Sequence, residues 1–194
     1  MSVMAETTGP HGIVQSRPFT VHDLEAMPDD GHRYELLDGA LLETPASGYK
    51  HQKVILRLGA LLDAACPDEL EVLPAPFAVR PSVTVELQPD LLVARDEDLT
   101  EAYLPAAPVL AVEVLSPSTR LNDLNSKKAF YERLGVPCYW VIDPLEPRLT
   151  AFELGEDGEY ERIVKVAGTE VFDAANPFAV RVVPAELIGR RRKA

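Results

Sequence analysis

The chain is poor in cysteine and in cationic side chains, and it has no long apolar run. Its 194 residues hold two cysteines, Cys66 and Cys138. They form no CxxC pair, and two thiols cannot build the dense disulfide framework of a small extracellular domain. Both are expected to be free, in a reducing compartment. No apolar stretch reaches the length of about eighteen residues that a membrane-spanning helix needs. The opening MSVMAETTGPHGIVQSRP lacks the basic start and apolar run of a secretion signal, so a soluble cytoplasmic protein with no membrane partner is expected. Histidines number four, and none has zinc-ligand spacing with His51 and the cysteines, which leaves structural zinc without support. Lysine and arginine together number 19 against 31 acids, a net charge of −12. That balance disfavours broad, sequence-independent adhesion to nucleic acid. A local basic edge stays open, because acids that hold a metal count towards the same total.

What is present fits one domain. At this length a chain can bury a core without metal or disulfide staples, and 46% of its residues are hydrophobic. Residues 1–18 read as a flexible arm, 19–188 as a single domain and 189–194 as a basic tail. The run Arg190, Arg191, Arg192, Lys193 is either a solvated end or a nucleic-acid contact. Thr20 is a helix cap with Asp23 three residues on. In RYELLDGALLET, Asp38-Gly39 between two apolar runs predicts a hairpin. From Gly48 to Ala65, Val54, Leu58, Leu61 and Leu62 recur at helical spacing, widened by Ile55, and Cys66-Pro67 marks the predicted end. The proline-broken stretch ELEVLPAPFAVRPSVTVEL predicts bent or edge strands. Leu91–Ala94 and Val109–Leu115 predict central strands, Asn122–Leu134 a helix stopped by Gly135, and CYWVID a further strand. Strands near 149–154, 160–166 and 178–183 and a short terminal helix follow. The pattern is α+β, with an α/β-like core: a mixed β-sheet flanked by helices, with an N-terminal β-hairpin.

Two acids stand inside apolar runs, Asp90 in PDLLVA and Glu113 in VLAVEVLS. A carboxylate buried in such a run must be paired with a cation, hydrogen-bonded or protonated. Their separation of 23 positions allows a strand, a connection and a neighbouring strand whose ends meet, so both can offer oxygen to one Mg²⁺ or Mn²⁺ ion. The backbone carbonyl of Val114 could add a ligand. Equally, Asp90 could cap a turn and Glu113 could make a structural ion pair. Fourteen residues past Glu113 comes Lys127, on the following helix, able to orient a water or neutralise phosphate charge. Lys128 points about 100° away on an ideal helix, and the residues alone leave open which lysine faces the acids. Asp123, Lys127 and Tyr131 share i,i+4 spacing, as either a site stripe or an ion pair with an aromatic anchor. Glu35, on the hairpin, is a candidate third acid or a member of ordinary strand alternation. His51, at the start of the first long helix, could contact phosphate, hold a water or cap the helix.

The segments YELLDGALLE, PDLLVA, AVEVLSPST, DLNSKKAFYERLG and YWVIDP, in this order, resemble the Uma2 or DUF820 group of the PD-(D/E)xK nuclease-like superfamily, over residues 19–188. The resemblance implies a restriction-endonuclease-like fold and a Mg²⁺- or Mn²⁺-dependent endonuclease that hydrolyses DNA phosphodiester bonds with a metal-activated water. It also implies site residues: Asp90 and Glu113 as metal ligands with the Val114 carbonyl, Glu35 as an auxiliary acid that is a further ligand candidate, and Lys127 as the basic member. His51, Asp123 and Tyr131 are auxiliary, and no organic cofactor is implied. Superfamily spacing would put the lysine at position 115, where this chain has Leu115; the Uma2-like pattern moves it to the helix, which favours Lys127 over Lys128. Nuclease-like domains often act in pairs, so a homodimer is expected. Two other readings remain: a catalytically inactive nucleic-acid-binding or regulatory protein on a nuclease fold, and a structural homodimeric interaction domain.

Overall fold

The computed structural model describes residues 7–8, 14–15, 17–28, 31–44, 46–117 and 122–189, the side chains of residues 7, 8, 14, 15, 122 and 123 excepted. Most of the predicted arm over 1–18 and the basic run Arg190–Lys193 lie outside these residues. Within the arm, β1 (Thr7–Thr8) pairs antiparallel with β2 (Val14–Gln15), which the sequence reading did not foresee.

Helix α1 (Val21–Glu25) starts at the predicted cap: the Thr20 backbone N–H and hydroxyl both donate to Asp23 Oδ2, at 2.7 and 2.8 Å, as part of a capping box. The hairpin is β3 (Arg33–Leu37) and β4 (Ala40–Thr44), closed by Asp38 and Gly39 with φ of 52° and 79°. Both positive values suit the twist of a two-residue hairpin turn. Helix α2 (Tyr49–Asp63) buries His51, Val54, Leu58 and Leu62 along one row. Leu61, expected in the stripe, is 40% exposed, since it lies one residue and about 100° around from Leu62. The helix also stops at Asp63, before the predicted end at Cys66-Pro67.

After α2 come β5 (Leu70–Pro74), β6 (Ala78–Ser82), β7 (Val85–Leu87), β8 (Leu91–Arg95), β9 (Tyr103–Leu104) and β10 (Leu110–Val114). A π-helical segment, Asn122–Lys127, runs into α3 (Lys128–Leu134), which ends on left-handed Gly135 with φ 81°. Strands β11 (Cys138–Asp143), β12 (Arg148–Leu154), β13 (Tyr160–Ala167), β14 (Phe172–Ala174) and β15 (Val180–Val182) lead to α4 (Pro184–Ile188). The extended run expected near 178–183 is β15, and it pairs with β14, which the sequence did not announce.

A six-stranded sheet in the order β13-β12-β11-β10-β8-β5 is mixed: β10 and β11 are parallel and its other neighbours antiparallel. The proline-broken segment does give the edge strand β5, but it then leaves this sheet, and β6 and β7 join β4-β3-β7-β6-β9. Alternation along β10 divides its side chains between two cores. Leu110, Val112 and Val114 pack with α2 residues Val54, Leu58 and Leu62, while Ala111 and Leu115 pack with Phe130 and Tyr131 of α3. Both faces are covered, which is why the strand reads as one apolar run. Glu113 takes the α3 side by the same alternation. The hairpin carrying Glu35 is joined to β7 through the pair Leu36 and Glu86.

Gly39 anchors that hairpin. Its N–H donates to the Thr84 carbonyl at 2.8 Å, its carbonyl accepts from Phe19 N–H at 2.9 Å, and a Cβ there would stand 2.5 Å from Pro18 Cβ. Gly39→Ala is therefore expected to destabilise the protein by roughly 1–3 kcal/mol, from left-handed strain and overlap. Urea unfolding measures it; a loss within the error of the wild type would show that the hairpin is not anchored here.

Candidate active site

Where β10 ends, three acids from three parts of the chain are buried together: Glu35 at 0%, Glu113 at 1% and Asp90 at 2% exposure. Each arrives for a local reason. Asp90 precedes β8 and accepts the Val114 N–H on Oδ2 at 2.8 Å, so it caps the end of the neighbouring strand. Glu113 lies inside β10 and faces α3. Glu35 lies inside β3, and its Oε1 accepts the Gln88 N–H at 2.7 Å.

Lys127 closes the group. Its Nζ donates to Glu35 Oε1 at 3.0 Å and to Glu113 Oε1 at 3.1 Å, and its side chain is 2% exposed. One turn on, the Tyr131 hydroxyl donates to Glu113 Oε1 at 3.3 Å. Burial, followed by the charges of Glu113 and Glu35, drives the Tyr131 pKa well above the usual range, so this hydroxyl stays a donor. Lys128 points elsewhere: its Nζ lies 4.9 Å from the centre of the Phe152 ring and 3.7 Å from Glu132. The structure thus brings Lys127 and Tyr131 together on Glu113, as their i,i+4 spacing allows. Asp123 falls in the π-helical segment, where backbone hydrogen bonds span five residues instead of four; its side chain lies outside the described residues.

The second half of the group centres on Asp90. His51 Nε2 is 3.1 Å from Asp90 Oδ2, and Arg33 Nη1 is 3.5 Å from Oδ1. Burial alone would raise the Asp90 pKa. The His51 hydrogen bond and charge, the Arg33 charge and the Val114 N–H outweigh it, and the net direction is down. Arg33 shows the mirror case: burial lowers its pKa, Glu35, Asp90 and Glu113 raise it, and the net direction is up. His51 is 6% exposed with no hydrogen-bond partner on Nδ1, so it is a polar residue in the buried row of α2, not a cap of that helix. Arg33 is the member that sequence reading missed. The available signal was strand alternation, since residues 33 and 35 share a face of β3.

Arg33, His51 and Asp90 line a cleft of about 590 Å³ whose wall includes Ile55, Gly59 and Val72; Glu113 and Lys127 are not part of this lining. Leu115, at the position where a lysine would follow the second acid by two residues, is 5% exposed and packs with Phe130 and Tyr131. Val114 directs its N–H towards Asp90, whereas Leu115 N–H donates to the Ile142 carbonyl at 2.8 Å. Peptide groups of a strand turn to alternate neighbours, so the Val114 carbonyl is also on the Asp90 side. Among the described residues, no group of three or more His, Cys, Asp or Glu side chains stands ready to hold a metal ion. Nor is any described helix long and apolar enough to cross a membrane. Cys66 and Cys138 are free, and burial pushes the Cys138 thiol up to about 12.

Breaking the Lys127 bridge tests how far the group acts as a unit. Lys127→Met leaves two buried carboxylates without their shared cation and is expected to cost about 3–5 kcal/mol. In a double-mutant cycle with Glu35→Gln, denaturant unfolding should show a coupling energy of at least about 1 kcal/mol. Strict additivity would contradict the bridge.

Residues 21–185 match the family model described as "Uma2: Putative restriction endonuclease". The fold is similar to that of a crystal structure described as "a putative nuclease belonging to DUF820" from Anabaena variabilis ATCC 29413, with a TM-score of 0.70 and 16% identity over 88% of this chain and 98% of that one. Among curated proteins none matches the chain.

Proposed function

The chain belongs to the Uma2 family, whose fold is restriction-endonuclease-like, and we propose that its buried acid group is the site of a metal-dependent endonuclease that hydrolyses DNA phosphodiester bonds. The observation that carries this reading is the position of Lys127. A lysine fourteen residues past Glu113, on a different element, meets both Glu113 and Glu35 at hydrogen-bond distance. The basic member of a nuclease pattern therefore stands beside the second acid although Leu115 occupies the usual place.

Mg²⁺ or Mn²⁺ suits the donor set. Carboxylate and carbonyl oxygens are the ligands these hard cations take, and Glu35 Oε2, 3.9 Å from Arg33 Nε, is a buried carboxylate oxygen with no hydrogen-bond partner of its own. Asp90 and Glu113, with the Val114 carbonyl, would hold the ion, and Glu35 would assist. When bound, such an ion makes a coordinated water more acidic and stabilises charge building on phosphate oxygens. The chain's own residues do the positioning. Glu35 and Glu113 fix the Lys127 ammonium, which orients a water or neutralises the phosphoryl oxygens. Tyr131 holds Glu113 in register, and His51 holds Asp90 towards the mouth of the cleft.

Purified protein is to be incubated with single-stranded, duplex and branched DNA under Mg²⁺ or Mn²⁺. Asp90→Ala and Lys127→Ala, shown to be folded by circular dichroism, should each lower cleavage by about 100-fold or more. Equal cleavage by all three proteins would reject the site. A second reading, a nucleic-acid-binding or regulatory protein without turnover, draws on one observation: Lys127 and Arg33 already supply cations to the acids. DNA binding without cleavage, unaffected by metal and by Asp90→Ala, is its expected signature.

A further inference from the structure

Arg33 and Lys127 both stand among the buried acids, but they are held differently. Lys127 is locked, with two charge-assisted bonds near 3 Å and a side chain 2% exposed. Arg33 lies 3.5 Å from Asp90 Oδ1 through Nη1 and 3.9 Å from Glu35 Oε2 through Nε, and its side chain keeps 22% exposure. A guanidinium paired with a carboxylate normally forms bonds of about 2.7–2.9 Å, often two in parallel. Here it straddles two acids and fits neither: Arg33 Nε and the facing Glu35 Oε2 are both buried without a hydrogen-bond partner.

Arg33 also lines two clefts. One is the 590 Å³ cleft along α2; the other, of about 480 Å³, is walled by Met27, Tyr34, Arg80 and Gln88. Three carboxylates face the charges of Lys127 and Arg33. A divalent ion at Asp90, together with Lys127, would balance those three carboxylates without Arg33. Two cations cannot share the same oxygens without repulsion, so the loosely held one must leave, and the clefts are where its side chain already has room.

We propose that Arg33 is a reserve cation: it neutralises Asp90 and Glu35 until a divalent ion takes them over, and then turns its guanidinium into the clefts to bind a phosphate of the DNA strand. This rests on the reading of the acid group as a divalent-metal phosphodiesterase site. A released guanidinium can grip two oxygens of one phosphate, a bidentate contact that it makes with neither acid.

Two binding measurements test it without any turnover. In Mn²⁺ titrations of the DNA-free protein followed by electron paramagnetic resonance, Arg33→Gln should bind Mn²⁺ about tenfold more tightly than the wild type, because a competing cation is gone. With Mn²⁺ saturating, the same variant should bind a cleavage-resistant phosphorothioate oligodeoxynucleotide about tenfold more weakly, as measured by fluorescence anisotropy. Should Arg33→Gln fail to fold, the wild type answers by NMR. Its Arg33 Nε–H signal, assigned by its loss in Arg33→Lys, should shift on Mg²⁺ addition and shift again on oligonucleotide addition. Mn²⁺ affinity unchanged or weakened in Arg33→Gln, or an Arg33 signal that ignores Mg²⁺, overturns the reserve-cation role while the metal site stands. Absence of Mn²⁺ binding in both proteins overturns the metal-dependent reading and this inference with it.

Discussion

A single ammonium group, Lys127 Nζ, joins three parts of the fold at the candidate site. It meets Glu113 from the central strand β10 and Glu35 from the hairpin of the second sheet, and it rides on the helix that covers one face of the first. Three separate elements must be in place for it to be satisfied. Burying these charges is expensive on its own, and the bridge recovers that cost only when the geometry of all three is right. The arrangement therefore gives little net stability by its presence. Its effect is on uniqueness, since a slipped hairpin or a rotated helix would leave a bare charge in the core.

The architecture places chemistry at a boundary between two cores. Side chains of β10 alternate between an aliphatic layer under α2 and an aromatic layer under α3. Glu113 belongs to the aromatic side, Asp90 reaches His51 on the aliphatic side, and the Val114 peptide lies between them. The strand end is where the two layers can share one polar group. The 590 Å³ cleft is lined by Asp90 and not by Lys127 or Glu113, which are buried. Burial strengthens each charge pair in the interior, and it raises the penalty for any oxygen left without a partner.

Much of this was legible in the sequence, for definite reasons. Acids at positions 90 and 113 inside apolar runs demanded partners, and a run apolar on both faces required a central strand. Asp38-Gly39 and Gly135 marked turns whose positive φ values the structure carries. Lys127 could be preferred over Lys128 only through the family resemblance; its contacts with Glu35 and Glu113, 92 and 14 residues away along the chain, depend on how two sheets pack. Arg33 was missed although it shares a face of β3 with Glu35, because an arginine on a hairpin reads as a solvated residue unless that face is known to turn inward. The move of the chain from β5 into the second sheet escaped for a similar reason: prolines announce a bend but not its direction. Leu61 shows the opposite error, an apolar residue at a helical repeat that the packing leaves outside.

The central claim, that Asp90 and Glu113 hold one divalent ion beside the Lys127 ammonium, is tested most directly by the anomalous signal of a Mn²⁺-soaked crystal. The account predicts a single strong peak within ~2.0–2.6 Å of one oxygen of each acid, with Lys127 Nζ still hydrogen-bonded to Glu113. A peak at other residues, or Lys127 turned away from Glu113 towards solvent, would contradict it.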